Sequence, residues 1–211
     1  MLTPKKSLGK FRFCVLAGAE GVQLTGDKIV GRFREKLVEF CGPRKGRLIE
    51  DFLNWPHDNA SILRFTRKYG PLQAESAAAK DFEFFPEGWQ LDQKHFQWLW
   101  RTANRFPDWE PKGGTLAFRN GWLTYTASSL YMFLYMDLVT CEAKRLRVCK
   151  RPDCPTPHFI AGHLKQCFCS DKCAEWGQRQ WKQKWWKEHG DTWRAQRHEQ
   201  KGKRDGTRKT R

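Results

Sequence analysis

Apolar and polar positions along the first part of the chain predict strands joined by turns. Alternation over residues 10–16 predicts a strand. Residues 29–40 fit either a strand or a short helix. Asn120 and Gly121, which lie between two alternating runs, predict a β-hairpin because this pair favours the tight turns of hairpins. Three early glycines are interpreted as turns in a loop between strands: Gly18, Gly21 and Gly26.

Apolar residues that recur every three or four positions predict three helices in the same part of the chain. The first covers about residues 59–69, with Asp58 as its N-cap. The second opens at Asp92 and runs to about residue 105. The third follows a serine cap and covers about residues 129–148 as a long connecting helix. Its predicted buried face consists of Leu130, Phe133, Leu134, Leu138 and Cys141.

These elements and the distribution of charge predict an α+β protein in three parts. The chain has 211 residues, with 39 Lys and Arg against 23 Asp and Glu. Residues 1–143, a mixed α/β N-terminal domain, carry 20 basic and 16 acidic residues, whereas residues 144–211 carry 19 and 7. We expect a small zinc-knuckle module with a basic helix over residues 144–190 and a disordered basic tail over residues 191–211. A concentration of positive charge of this kind favours a polyanionic partner.

Composition and motifs exclude several classes of protein. Hydrophobic residues make up 39% of the chain, enough for a packed core. No apolar run of the roughly 18–20 residues that span a bilayer occurs, and no secretory signal is visible, so we expect a cytoplasmic protein with no membrane partner. Neither a Walker glycine loop nor a nucleophile elbow is present. His57 beside Asp58 is the strongest catalytic candidate, but the cap role explains Asp58 better, so we expect no enzyme.

Two close pairs of cysteines carry the most specific chemistry. They are spaced C-x4-C, then fourteen residues, then C-x3-C, and consist of Cys149, Cys154, Cys169 and Cys173. Four thiolates are a complete tetrahedral ligand set, which predicts one structural zinc ion rather than a catalytic one. Ser170 is the expected N-cap of a helix that begins near residue 171 and carries the last ligand in its first turn. Three nearby residues remain alternative ligands: His158, His163 and Cys167.

This segment resembles the CGNR-type zinc finger of bacterial proteins. The residues that carry the resemblance are Leu146-Arg147-Val148-Cys149, Asp153-Cys154, Cys169-Ser170 and Cys173, followed by a basic helix. The resemblance implies a C-terminal finger behind a larger domain, the same four zinc ligands, and DNA binding in transcription regulation. Cys173-Ala174-Glu175-Trp176 stands where the family has Cys-Gly-Asn-Arg, so the role of Gly-Asn-Arg does not carry over to this chain.

Basic and aromatic residues interleave over residues 171–189, and Gly190 predicts the end of this helix. Arg179, Lys182 and Trp186 share one side of it. Cations of this kind bind phosphates, and an exposed indole stacks on a base. The candidate nucleic-acid-binding residues are Arg145, Arg147, Lys150, Arg151, Arg179, Lys182, Lys184, Trp186 and Lys187.

The sequence therefore predicts a zinc-dependent nucleic-acid-binding protein whose target is DNA rather than RNA, and the resemblance implies a role in bacterial transcription regulation. The alternative is a protein-interaction adaptor. In that alternative the zinc knuckle and the surface formed by Trp181 and Trp185 bind a peptide or a partner.

Overall fold

The computed structural model describes residues 11–40, 48–73, 81–102, 114–119 and 122–208, which form helices and two sheets. The strands are β1 (Phe11–Thr25), β2 (Lys28–Phe40), β3 (Asp81–Phe84), β4 (Gly114–Arg119), β5 (Trp122–Ala127), β6 (Leu146–Val148) and β7 (His158–Ile160). The α-helices are α1 (Leu48–Asn54), α2 (Asn59–Tyr69), α3 (Pro86–Arg101), α4 (Leu130–Val139) and α5 (Asp171–Arg208), and a 3₁₀ turn covers Ala143–Arg145. The expected α+β class is confirmed.

The larger of the two sheets has five strands, in the order β3-β2-β1-β5-β4. The β1–β5 pair is parallel and the other pairs are antiparallel. The segment at 29–40 is thus a strand. The loop interpretation is right for Gly26, which turns the chain between β1 and β2, but wrong for Gly18 and Gly21, which lie inside β1. There the pairing with β2 shifts register, and their positive φ angles of 132° and 63° suit glycine.

Aromatic side chains from three helices form the centre of the core. Phe52 of α1 lies 5.0 to 5.6 Å, ring to ring, from Trp89, Phe96 and Phe65, and all four are buried. These tilted and edge-to-face arrangements are the favoured geometries of aromatic pairs. The core therefore joins α1, α2 and α3 into one unit.

The helix around residues 59–69 begins and ends as predicted. The carboxylate of Asp58 accepts a hydrogen bond from the amide of Ser61 at 2.9 Å, and Gly70 ends the helix with a φ of 95°. By contrast, α3 starts at Pro86 instead of Asp92 and ends at Arg101, and β3 precedes it where only a connection was expected. Proline suits a first helical position because its own N–H has no partner there in any case.

The predicted hairpin is present as β4 and β5, in which Arg119 pairs with Trp122. The turn residues at 120 and 121 lie outside the described residues.

Helix α4 begins as predicted but is shorter. The Ser129 side chain caps it by accepting from the amide of Met132 at 3.2 Å, and all five residues of the expected buried face are buried. The prediction of a long connecting helix to residue 148 is wrong, because α4 ends at Val139. Glu142 then forms ion pairs with Lys144 and Arg145, each at 2.7 Å, and the chain leaves the 3₁₀ turn as strand β6.

Helix α5 is longer than predicted. Gly190 lies in its interior, and residues 191–208, expected as a disordered tail, continue the helix to Arg208. At about 1.5 Å per residue this 38-residue helix is about 57 Å long. In the part of the chain that the structure describes, no helix combines the length and apolar character needed to cross a bilayer.

Candidate metal centre and basic helix

The first cysteine pair lies on a turn that extends from the small β6–β7 sheet. The amide of Cys149, the residue after β6, donates to the carbonyl of Pro157 at 2.7 Å, next to β7. Within the turn, the amide of Cys154 donates to the carbonyl of Arg151 at 3.2 Å. This turn, which we call the knuckle, is therefore closed by backbone hydrogen bonds and is anchored on a strand pair.

The second pair is brought to the first by backbone contacts and by the start of α5. The amide of Lys150 donates to the carbonyl of Cys167 at 3.0 Å, which joins the two cysteine segments. Helix α5 begins at Asp171, so Cys173 lies in its first turn, as predicted. The Gln166 side chain supports the loop before the helix by accepting from the amide of Gly162 at 2.7 Å.

The four predicted thiols lie close together. The Sγ atoms of Cys154, Cys169 and Cys173 are separated by 3.4, 3.7 and 3.8 Å, and all four sulfurs, including that of Cys149, lie within 4.8 Å of one another. A tetrahedral site with Zn–S bonds of about 2.3 Å places its sulfurs roughly 3.8 Å apart. The donor set and its spacing thus fit one thiophilic metal ion.

The sulfurs of this group differ in their surroundings. Burial raises the pKa of Cys154 to about 12, and it also raises the pKa of Cys169. A hydrogen bond with Ser170 is the main reason that the pKa of Cys173 is lowered to about 7. Of these three thiols, Cys173 is therefore the closest to ionisation at neutral pH, in agreement with its place at the start of a helix.

The alternative ligands lie outside the sulfur group. The Cys167 thiol donates to the carbonyl of Lys165 at 3.4 Å and is not part of the group of four sulfurs. His163 is exposed, whereas His158 is buried and lies edge-to-face with Trp100, ring centroids 6.1 Å apart. In the part of the chain that is described, the four cysteines form the metal-binding group without help from a histidine.

A small core supports the site. It consists of Cys149, Cys154, Phe159, Ala161 and Cys173, with Phe168 and Cys169 packed against it. The Phe168 ring lies directly on α5 at Gly177, where a Cβ atom would come within 2.3 Å of the ring. Gly177 thus lets the helix lie close to the Phe168 ring, so this side of α5 faces the small core of the cysteine site.

Two polar side chains of α1 hold the outer edge of β7. The Asn54 amide donates to the carbonyl of His158 at 2.7 Å and accepts from its amide at 3.0 Å. Glu50 accepts from the amide of Ile160 at 2.6 Å. On the other strand, the Trp100 indole donates to the carbonyl of Arg147 at 2.9 Å. These hydrogen bonds attach the β6–β7 hairpin, and with it the cysteine group, to the helices of the aromatic core. The sequence did not predict this role of Asn54 and Glu50, because neither residue lies in a recognisable motif.

The basic residues near the first cysteine pair make contacts of their own. Arg145 pairs with Glu142, the Arg147 guanidinium donates to the carbonyl of Leu164 at 3.2 Å, and Arg151 holds Asp153 through two hydrogen bonds of 3.0 and 2.8 Å. Lys150 is exposed. The predicted cations of this cluster thus divide into three that stabilise the fold locally and one that is free to meet a ligand.

Helix α5 is exposed over most of its length. Among residues 171–197, whose side chains are described, Cys173 and Gly190 alone are buried. Arg179, Lys182 and Lys187 are exposed, and within the described residues no ion pair involves them, whereas Lys184 lies 3.9 Å from Glu188. Trp181 and Trp186 are 65% and 44% exposed, so Trp181 does not pack against the knuckle.

Comparison of the chain with models of protein families, with curated proteins and with solved structures finds no match. Function is therefore inferred from the geometry of the thiol group and from the charge of α5.

Proposed function

We propose that this chain is a nucleic-acid-binding protein in which one structural zinc ion fixes the start of the basic helix α5. The observation that carries the proposal is the meeting of four thiols within 4.8 Å, one of them in the first turn of that helix. When bound, zinc supplies four bonds that join the knuckle to α5. It has no catalytic part, because a complete thiolate set leaves no open position.

Zinc is proposed over other metals because the donors are all sulfur and their spacing suits a tetrahedron. The module around it is small. Its buried core has five residues, three of which are themselves cysteines, and so hydrophobic burial alone gives it little stability. The metal would therefore contribute directly to the folding of this part of the chain.

The proposed ligand is nucleic acid because residues 144–211 carry 19 basic and 7 acidic residues, and because every lysine and arginine of α5 up to residue 197 is exposed. Within the residues that the structure describes, no ion pair involves the exposed cations Lys150, Arg179, Lys182 and Lys187, whereas Lys184 lies close to Glu188. Phosphate contacts by such residues release counterions, so affinity falls steeply with salt. DNA and a role in transcription are proposed on the resemblance to the CGNR-type finger.

The zinc site is tested by metal analysis of the purified full chain and of cysteine variants. We expect one zinc ion per chain, and its loss in Cys149→Ser, Cys154→Ser, Cys169→Ser and Cys173→Ser. Cys167→Ser is the matched control, because this thiol lies in the same segment but outside the sulfur group. Retention of stoichiometric zinc by all four variants would contradict the proposal.

The binding function is tested with the same proteins on labelled duplex DNA over a series of salt concentrations. We expect binding at low salt that weakens linearly on a log–log plot. Chelation of the metal, or any of the four ligand variants, should reduce affinity, whereas Cys167→Ser should not. Absence of binding to DNA and to RNA at low salt would refute the function.

One observation favours the adaptor alternative. Trp181, which lies on a different side of α5 from Lys182 and Trp186, is 65% exposed. A large exposed indole of this kind is typical of a residue that anchors a protein partner. Binding of a defined partner that persists after nuclease treatment and at moderate salt, and that Trp181→Ala abolishes, would support the adaptor.

A further inference from the structure

Five residues of α5 form one continuous face in which cations and indoles interleave. At 100° per residue they lie within about 60° of one another around the helix axis. We call this the outer face, and it consists of Arg179, Lys182, Trp186, Trp193 and Arg197. Its last two residues lie beyond Gly190, where the sequence had predicted the end of the helix.

The outer face points away from the metal centre. Cys173 belongs to the sulfur group, and Gly177 lies against the Phe168 ring. Both residues therefore lie on the side of α5 that faces the knuckle. The direction of Trp186 differs from theirs by roughly half a turn. Docking of α5 through its first turns therefore leaves the whole outer face open to a ligand.

The indole of Trp186 is exposed and yet held in a fixed orientation. It stands nearly perpendicular to Trp185 and to Trp193, with ring centroids 5.0 and 5.2 Å away. Gly190 lies beside this ring, and a Cβ there would be 3.1 Å from Trp186 Cε3. A glycine weakens a helix interior, but here it gives the indole room to lie against the backbone. A side chain fixed in this way loses little freedom when a ligand covers it.

Positive charge is placed along the same face. Arg179 and Lys182 precede Trp186 by two turns and one turn, and the Arg197 guanidinium lies 4.5 Å from the centre of the Trp193 ring. In a single strand, bases alternate with phosphates, so the aromatic rings of this face can stack on the bases while its cations bind the phosphates. The bases of a duplex are stacked on each other and offer only their edges, so an indole cannot reach their faces.

We propose that the outer face of α5 binds single-stranded nucleic acid, with a base stacked on Trp186 and with phosphates held by Arg179 and Lys182. This inference rests on the proposed function, and it specifies the class of ligand as unpaired bases. A duplex could be bound through the phosphate contacts alone, whereas stacking on Trp186 requires an unpaired base.

The test uses the zinc-loaded full chain and the fluorescence anisotropy of labelled 15-nucleotide probes at one salt concentration. The probes are oligo(dT), oligo(U), an abasic strand with the same phosphates, and a duplex. We expect oligo(dT) or oligo(U) to bind about tenfold more tightly than the abasic strand, as one stacked base provides. Trp186→Ala should abolish this ratio and Trp186→Phe should keep most of it.

Matched controls lie on the same helix. Trp181→Ala removes a more exposed indole from a different side and should leave the ratio unchanged. Lys182→Gln should lower the slope of log affinity against log salt by about 0.7, the value for one phosphate of a single strand. Zinc content and circular dichroism establish that each variant is folded, and Trp186→Phe keeps the test valid if the alanine variant is not.

Each contrary outcome has a defined meaning. Equal affinity for the abasic strand and oligo(dT), or tighter binding of the duplex, overturns the inference and leaves the proposed function intact. No binding of any probe overturns both. If Trp186→Ala changes the oligomeric mass in sedimentation but not the affinity ratio, the outer face is covered by a second copy of the chain, and the inference is wrong.

Discussion

Asn54 provides the sharpest test of how the metal centre is attached to the larger part of the fold. Its side chain makes two hydrogen bonds to the backbone of His158, at 2.7 and 3.0 Å, and a third to the carbonyl of Glu50 at 2.8 Å. In Asn54→Ala the amide and carbonyl of His158 lose their partners at a partly buried strand edge. Each unpaired group costs about 1–3 kcal/mol when buried, and partial access of water favours the lower end. We therefore expect a loss of about 2 kcal/mol in the free energy of unfolding.

The assay is urea unfolding at pH 7 with zinc in excess, followed by tryptophan fluorescence. Asn54→Asp keeps the acceptor for the His158 amide but sets a carboxylate oxygen against the carbonyls of His158 and Glu50, so it should be at least as destabilising as Asn54→Ala. Gln97→Ala is the control, because Gln97 makes one hydrogen bond to the carbonyl of Leu53 at 3.1 Å and does not touch β7. It should cost about 1 kcal/mol or less.

The same substitution should also weaken the binding of zinc. If the β6–β7 hairpin is ordered together with the thiols, the energy that Asn54 supplies appears in zinc binding, and a loss of about 2 kcal/mol corresponds to roughly 30-fold in the dissociation constant. A change in stability below about 0.5 kcal/mol, with unchanged zinc affinity, would refute the idea that α1 holds the metal centre.

Two further predictions concern His158 and Gly177. Burial, assisted by Arg101, lowers the pKa of His158 to about 4, below the value of about 6.5 in the unfolded chain. The neutral ring therefore contributes stability that is complete above pH 6.5 and is lost as pH falls towards 4, by up to about 3 kcal/mol. His158→Phe should remove this part of the pH dependence of urea unfolding, and equal slopes in both proteins would contradict it. Gly177→Ala should lower the melting temperature by several degrees, because its Cβ meets the Phe168 ring, whereas Gly88→Ala in α3 has open space and should raise it slightly. A stabilised Gly177→Ala would show that Phe168 moves aside freely.

The metal centre was predictable from sequence because its chemistry is local. Cysteine spacing identifies both pairs, and the serine before residue 171 marks the helix start that carries Cys173. Capping rules likewise located α2 and the start of α4, where Asp58 and Ser129 bond to the first turn. These features depend on residues within a few positions of one another.

The errors lie where contacts distant in sequence decide the structure. The apolar pattern around residue 146 suits a helix as well as a strand, and pairing with β7 selects the strand. Gly18 remains in β1 because the pairing with β2 absorbs a bulge there. Asn54 and Glu50 contact residues more than 100 positions away, and their polar side chains carry no local signal for that role.

The charge of the metal site bears on what zinc dependence would mean. Four thiolates and one Zn²⁺ carry a net charge of about −2, so metal binding reduces the attraction of this region for a polyanion. If charge alone held nucleic acid, the metal-free chain, in which Cys173 is only partly ionised, would be less negative at this site and would bind at least as well as the loaded one. A loss of affinity on chelation would therefore come only from geometry, since bound zinc would fix Cys173, and with it the start of α5, against a hairpin that Asn54 and Glu50 hold to the core.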